Sequence, residues 1–310
     1  MKIDLKNGIG KNNEFASYHP LVIFTYFIGV IGVSMTISYP LIIGISFAVA
    51  FFYSVLLKGS KVIKFNVLVS LGSVMFTTLF NTLFTHDGNS VLFYINANRI
   101  TAEAMCYGAF SGMVIATVII WFSSFNFIVN GEMIMYIFSR ISSVFGLLIS
   151  MILRYIPLLK VRYDEINMGQ KCLGKMYDGK FIGRIKDITK KTSILIAWSL
   201  ESSIESADSM AARGYGLKGR SSFTLYKASS RDYFLGIIFI LLIIAIIAVN
   251  IGFNIKMYFY PVIVVPKDSM AIFAEVLFFG AISAIPILID ILGEYRWQKL
   301  ESKIWHLNIR

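Results

Sequence analysis

Cysteine and histidine are scarce in this chain: two and three residues of 310. Cys106 and Cys172 show no paired spacing, so no disulfide framework is expected. His19, His86 and His306 are far apart, and His86 with Asp87 offers only two adjacent ligands, so no metal site is expected. No Gly-x-x-x-x-Gly-Lys-Ser/Thr phosphate loop occurs. Gly8-Ile9-Gly10-Lys11 lacks its first glycine and its hydroxyl residue, so the chain is not expected to bind ATP or any other cofactor. The clustered acids or histidines that a membrane enzyme needs at one interface are missing, as are internal repeats and low-complexity tracts. The N-terminus is polar to about Ser17 and no small-residue cleavage site follows the first apolar run, so no removable signal peptide is expected. Acids are few, 18 against 29 Lys and Arg, a formal charge of +11.

What the chain has is apolar surface. It is 56% hydrophobic with a mean hydropathy of +0.70, too apolar for a soluble domain of this size. The expected fold is an all-α polytopic membrane protein with about six transmembrane helices and long amphipathic cytoplasmic helices. The basic excess is local: Arg154 to Arg231 holds 15 Lys or Arg and 7 Asp or Glu. Positive-inside topology accounts for that excess, so no nucleic-acid partner is expected.

Spans are expected at about Pro20–Ser38 and Pro40–Leu57, turning at Tyr39-Pro40, then at Phe65–Phe84 and Ala104–Val129. Lys58, Lys61 and Lys64 anchor one end in the cytoplasm. Asp87-Gly88-Asn89 marks a loop, and Thr101 opens the helix after it. In the run Met133–Leu159, only 13 residues separate Arg140 from Arg154, about 20 Å of helix against a hydrocarbon core of about 30 Å. Arg140, Ser143, Ser150 and Arg154 share one helical face, so a helix lying along or dipping into the interface is expected. Two further spans, Tyr233–Val249 and Met270–Leu292, flank an outer loop. This topology puts 26 of the 29 Lys and Arg inside, leaving only Arg99, Lys256 and Lys267 outside. Leu195, Ile196 and Trp198 are expected to pack on the membrane domain. Glu275 is an acid inside an apolar run, near the outer interface, where snorkelling or a buried hydrogen bond is the plainer reading and a transport role the sharper one.

The stretch Glu201–Gly216, ESSIESADSMAARGYG, is polar and helical in pattern. Glu201, Glu205 and Asp208 share one face with helical spacing, as solvated charges rather than catalytic carboxylates. Arg213 falls in the last turn and Gly214 suits the left-handed position just past it. Ala211, Ala212 and Gly214 leave the tip open for insertion into a groove on another protein.

Ala212-Arg213-Gly214, preceded by SADSMA, resembles the second Ala-Arg-Gly motif of the transmembrane T component of energy-coupling factor (ECF) transporters, the family that includes the cobalt-transport permease type. RYIPLLKVRYDEINMGQKCLGK, from Arg154, is similar to the first coupling helix of that family. A third likeness lies in Asn81–Glu103: an Asn-x-Leu-Phe segment, a glycine turn, Leu-Phe-Tyr and Ile-Thr-x-Glu. The resemblance implies that Arg213 docks on one of two ABC-type ATPase subunits, and that a separate substrate-binding S-component membrane protein is a further partner. Where the family has its first Ala-Arg-Gly, this chain has Cys172-Leu173-Gly174, flanked by Lys171 and Lys175. Leucine lacks the forked, charge-assisted hydrogen bonds of arginine. That departure favours an ATPase heterodimer with one altered groove.

The expected organisation is a cytoplasmic segment 1–19, a four-span membrane domain 20–132, interfacial and cytoplasmic coupling helices 133–231, a two-span hairpin 232–295 and a cytoplasmic tail 296–310. The function expected from the resemblance is coupling of partner ATPases to uptake of a vitamin or transition-metal ion across a prokaryotic cell membrane, with both termini cytoplasmic. A stand-alone channel or secondary transporter is the alternative; it would use polar residues such as Asn66, Asn81 and Asn126.

Overall fold

The protein is described by a computed structural model covering residues 13–37, 39–85, 87–95, 98–174, 181–217, 226–253, 255, 257–266 and 268–308. Among the described residues it is all-α apart from one antiparallel ribbon, β1 (Val91–Ile95) with β2 (Asn98–Thr101), and an isolated bridge between Tyr258 and Val264. Its residue contacts divide it into two units, Met1–Asn130 with Tyr226–Arg310, and Gly131–Leu225.

The first unit holds α1 (Pro20–Thr36), α2 (Pro40–Lys58), α3 (Lys61–Phe84), α4 (Ala102–Ile128), α8 (Ser230–Phe253) and α9 (Ser269–Asn308). Proline at the first position starts α1 and α2, where the missing N–H costs nothing. Gly59, with φ 77°, ends α2. Five helices close a ring in the order α1, α4, α2, α9, α8, and α3 is added outside α4. The ring is filled by Tyr26, Phe27, Tyr53, Trp121 and Phe239, none more than 1% exposed. The Trp121 indole N–H donates to Ser46 Oγ at 3.1 Å, and Ser46 shares a hydrogen bond with Ser34 at 2.9 Å, so these three buried groups, one from each of three helices, are paired. α3 buries only Asn66 and turns Leu68, Leu71, Met75 and Phe76 outward. In a bilayer that face costs nothing to expose.

α3 and α4 approach most closely where α4 carries Gly108, Gly112 and Ala116 at four-residue spacing. A Cβ on Gly108 would lie 2.6 Å from Thr78 Cα, and one on Gly112 would lie 2.6 Å from Val74 Cα. Thr77 Oγ1 crosses this seam to donate to the Gly108 carbonyl at 2.8 Å. This is the small-residue helix packing of membrane proteins.

Residues 13–19 plug one end of the ring. Phe15 is fully buried against Tyr26 and Phe27. Its backbone N–H donates to Asp290 Oδ1 at 2.8 Å. Asp290 Oδ2 accepts from Tyr53 at 3.2 Å and Asn13 at 3.4 Å. At the start of α8, Asp232 accepts from the Ser229 N–H and hydroxyl and from the His19 N–H.

The loop before α4 is more ordered than turn chemistry alone suggests. Thr101 caps α4 through Ala104 N at 3.4 Å, and its hydroxyl donates to the Asp87 carbonyl at 2.9 Å. Glu103 accepts from Ser90 N. Gly88 has φ 139°, and a Cβ there would lie 2.7 Å from Glu103 Oε2. Glycine, threonine and glutamate thus form one device closing the loop onto the helix.

The second unit holds α5 (Gly131–Ile141), α6 (Ser143–Cys172) and α7 (Phe181–Ala212). The run 133–159 is not one helix. Ser142 is extended, with φ −154°, and its hydroxyl caps α6 through Val144 N. Arg140 therefore does not share a continuous helical face with Ser150 and Arg154, as the periodicity predicts.

Among the described residues, six helices are long and apolar enough to cross a membrane: α2, α3, α4, residues Val144–Cys172 of α6, α8, and Ser269–Trp297 of α9. The chain is a multi-pass membrane protein by this measure. The set differs in one member from that expected. α1 has 17 residues, about 25 Å, and is shorter than the others, whereas the apolar N-terminal half of α6 joins the set.

Candidate partner-docking site

α6 and α7 pair through three polar contacts. Tyr155 shares a hydrogen bond with Ser206 at 3.1 Å, the Arg162 guanidinium lies 4.9 Å from the Trp198 ring centre, and Lys191 Nζ donates to Asn167 Oδ1 at 2.8 Å. Moving along α6 from 155 to 167 means moving back along α7 from 206 to 191, so the helices are antiparallel. Lys191, 8% exposed, also pairs with Asp187 at 2.5 Å, so its buried charge is matched. Trp198, expected to pack on the membrane domain, faces Arg162 of α6, and Ile196 is 55% exposed.

The α7 C-terminus is built as its sequence predicts. The Gly214 N–H donates to Ala211 O at 3.0 Å and the Tyr215 N–H to Met210 O at 3.0 Å, with Gly214 at φ 81°. This is the paired closure of a Schellman cap, which only glycine adopts without strain. Ala212 and Arg213 are exposed beside it. The α6 C-terminus ends in a related turn: the Leu173 N–H donates to Gly169 O at 3.1 Å, the Gly174 N–H to Lys171 O at 3.0 Å, and Gly174 has φ 69°. Lys171, Cys172, Leu173 and Gly174 are all exposed, Leu173 by 68%. Lys175 lies outside the described residues.

Antiparallel pairing puts the two tips at opposite ends of the helix pair. Leu173 is six residues beyond Asn167, and Arg213 is seven beyond Ser206. With about 1.5 Å per residue, Leu173 and Arg213 stand about 40 Å apart. One tip offers a cation, the other an apolar side chain with a lysine two residues before it. Each end has its backbone hydrogen bonds largely satisfied, so each tip presents side chains rather than bare carbonyls.

The other sequence candidates fall elsewhere. Glu201, Glu205 and Asp208 are exposed and make no ion pair among the described residues. Glu275 is fully buried and accepts from Asn250 Nδ2 at 3.0 Å, the buried hydrogen bond rather than a snorkel; its Oε2 has no partner among the described residues. Asn250 also lines a cavity of about 730 Å³ between α1 and α8. His86 lies outside the described residues, and no group of three His, Cys, Asp or Glu side chains among the described residues is placed to hold a metal. The Asn66 side chain is buried without a partner among the described residues, Asn81 accepts weakly from Thr85 at 3.4 Å, and Asn126 is exposed.

Sequence reasoning missed Asp290 and Asp232. The rule that flags Glu275, an acid in an apolar run, applies equally to Asp290 in AISAIPILIDILG. No protein-family model matches the chain, and no curated protein matches it either.

Proposed function

We propose that this protein is the membrane coupling subunit of an ATP-driven importer of the ECF type. What supports the reading above all is the pair of exposed, glycine-closed helix tips at opposite ends of one antiparallel pair. Two separate knobs about 40 Å apart suit two sockets on two ABC-type ATPase subunits. The tips differ in charge, so the sockets differ, which favours a heterodimeric ATPase. Closure of the ATPases on ATP would shift both tips and drive the helix pair as one body. A separate substrate-binding membrane subunit would supply the cargo, a vitamin or a transition-metal ion. Hydrolysis belongs to the partners, since this chain has no phosphate loop.

The test is co-purification with the candidate ATPase pair. Wild type is expected to retain both ATPases, and Arg213→Glu to lose at least about 90% of them, because a buried like-charge contact replaces a charge-assisted one. Retention of nothing by wild type ends the coupling reading. Equal retention by both proteins moves the main dock to Leu173–Gly174.

One observation favours a secondary transporter instead. The carboxylate of Glu275, half-paired among the described residues, is bound by Asn250, which lines the α1–α8 cavity. Uptake of solute by the chain alone in vesicles would support it.

The proposed topology places the protein in a prokaryotic cell membrane with both termini cytoplasmic. In a Cys106→Ala, Cys172→Ala background, Val265→Cys is expected to react with an impermeant maleimide from outside intact cells. Labelling only after lysis overturns that topology.

A further inference from the structure

The last residue of α2, Lys58, holds its charge without an acidic partner among the described residues. Its ammonium donates to Ser123 O at 2.8 Å and Ser123 Oγ at 2.6 Å, and lies 5.6 Å from the Phe127 ring centre. No carboxylate among the described residues lies within ion-pair distance of it. Lys61 and Lys64 follow in the first turns of α3, a helix whose start has no acid and no side-chain cap. Cations at a helix N-terminus add to the positive end of its dipole, so the start of α3 is electropositive, while Lys58 meets the negative end of α2.

Lys58 also lines a pocket of about 390 Å³ with Phe65, Ile119, Phe122, Ser123 and Asn126. Its polar members are donors. Two of the three ammonium hydrogens are used on Ser123, leaving one. Ser123 Oγ accepts from Lys58, and no hydrogen bond among the described residues uses its own hydrogen. The Asn126 amide is exposed and makes no hydrogen bond among the described residues. The remaining lining is apolar and outward-facing: Phe65 is 46% exposed, Ile119 38% and Phe122 46%. Spare donors, no acid and an apolar wall at the end of membrane-length helices match an anionic headgroup with an acyl chain below it.

We infer that this pocket binds one anionic phospholipid, its phosphate on Lys58, Ser123 and Asn126 and its chain along Phe65 and Phe122. A free phosphate shares the headgroup chemistry but not the need for the apolar wall. The inference is independent of the docking reading: it uses no residue of α6 or α7.

The experiment is native mass spectrometry of the full-length protein in a neutral detergent. It is titrated with short-chain phosphatidylglycerol, short-chain phosphatidylcholine or inorganic phosphate. One phosphatidylglycerol is expected to bind at least about tenfold more tightly than phosphatidylcholine, since a charge-assisted phosphate contact is lost with the neutral lipid. Lys58→Gln should remove that preference and Lys58→Arg should keep it. Because Lys58 also ties α2 to α4, Asn126→Leu provides a variant at an exposed position that removes no hydrogen bond among the described residues; a loss of about threefold or more is expected. Equal binding of the two lipids, or unchanged preference in both Lys58→Gln and Asn126→Leu, overturns the site. Displacement of phosphatidylglycerol by inorganic phosphate at equal concentration overturns the lipid as occupant.

Discussion

Gly112→Leu is expected to leave little folded protein in detergent, while Gly72→Leu on the facing helix is expected to be nearly silent. The contrast isolates one seam. A Cβ at Gly112 runs into Thr77 Oγ1 and lies 2.6 Å from Val74 Cα and 3.0 Å from Ser73 O. Two of these three atoms belong to backbone and cannot swing away. α3 must then back off along its length, giving up the Thr77–Gly108 hydrogen bond and the dispersion contacts of the tightest helix pair in the unit. Overpacking of this kind costs about 1–3 kcal/mol where side chains can yield, and more where they cannot. A Cβ at Gly72 meets nothing within 4 Å, so the same substitution on the lipid face changes only which apolar atoms touch lipid. Fluorescence-detected size exclusion after heating reads both. Equal melting of the two variants would show that α3 is held by something other than this seam.

Asp290→Ala is expected to be nearly as damaging, and Asp290→Asn clearly less so. The alanine leaves the Phe15 N–H, the Tyr53 hydroxyl and the Asn13 amide buried with no acceptor. Each orphaned neutral donor costs about 1–3 kcal/mol, so a total of about 3–5 kcal/mol follows even with some relaxation. Asparagine keeps an oxygen for the Phe15 N–H, and the Tyr53 hydroxyl can turn to accept from the new amide. A loss of about 1–2 kcal/mol is then expected. If alanine and asparagine destabilise alike, the carboxylate matters through its charge and not through its acceptors.

Much of the membrane unit was legible because apolar runs, prolines at helix starts and lysines at span ends are local signals. Thr101 as a helix opener and Gly214 as a left-handed stop were legible for the same reason: a cap is read over four or five residues. The interface between α3 and α4 was also in plain sight as Gly108-x-x-x-Gly112, a spacing that hydropathy windows average away. Less legible were the features that depend on what meets what. Ser142 breaks the run 133–159 although serine is a weak breaker, because its hydroxyl caps the helix that follows. Lys191 looks like an exposed residue on a polar helix until α6 supplies Asn167, and Trp198, expected to pack on the membrane domain, meets Arg162 of α6. Asp290 is paired with residues more than 230 positions away, a separation no periodicity carries.

That last separation bears on how the protein is made. The plug at residues 13–19 leaves the ribosome before α8 and α9, whose acceptors arrive 213 to 277 residues later. Until the final helix is threaded, Phe15 has no lid and the ring has a gap between α1 and α2 where α8 and α9 belong. Early helices therefore wait in the bilayer half-assembled, and a nascent chain stalled before Asp290 exposes a polar, unpaired end. Membrane quality-control proteases should distinguish chains ended just before Asp290 from chains ended just after Trp297 by that single missing closure.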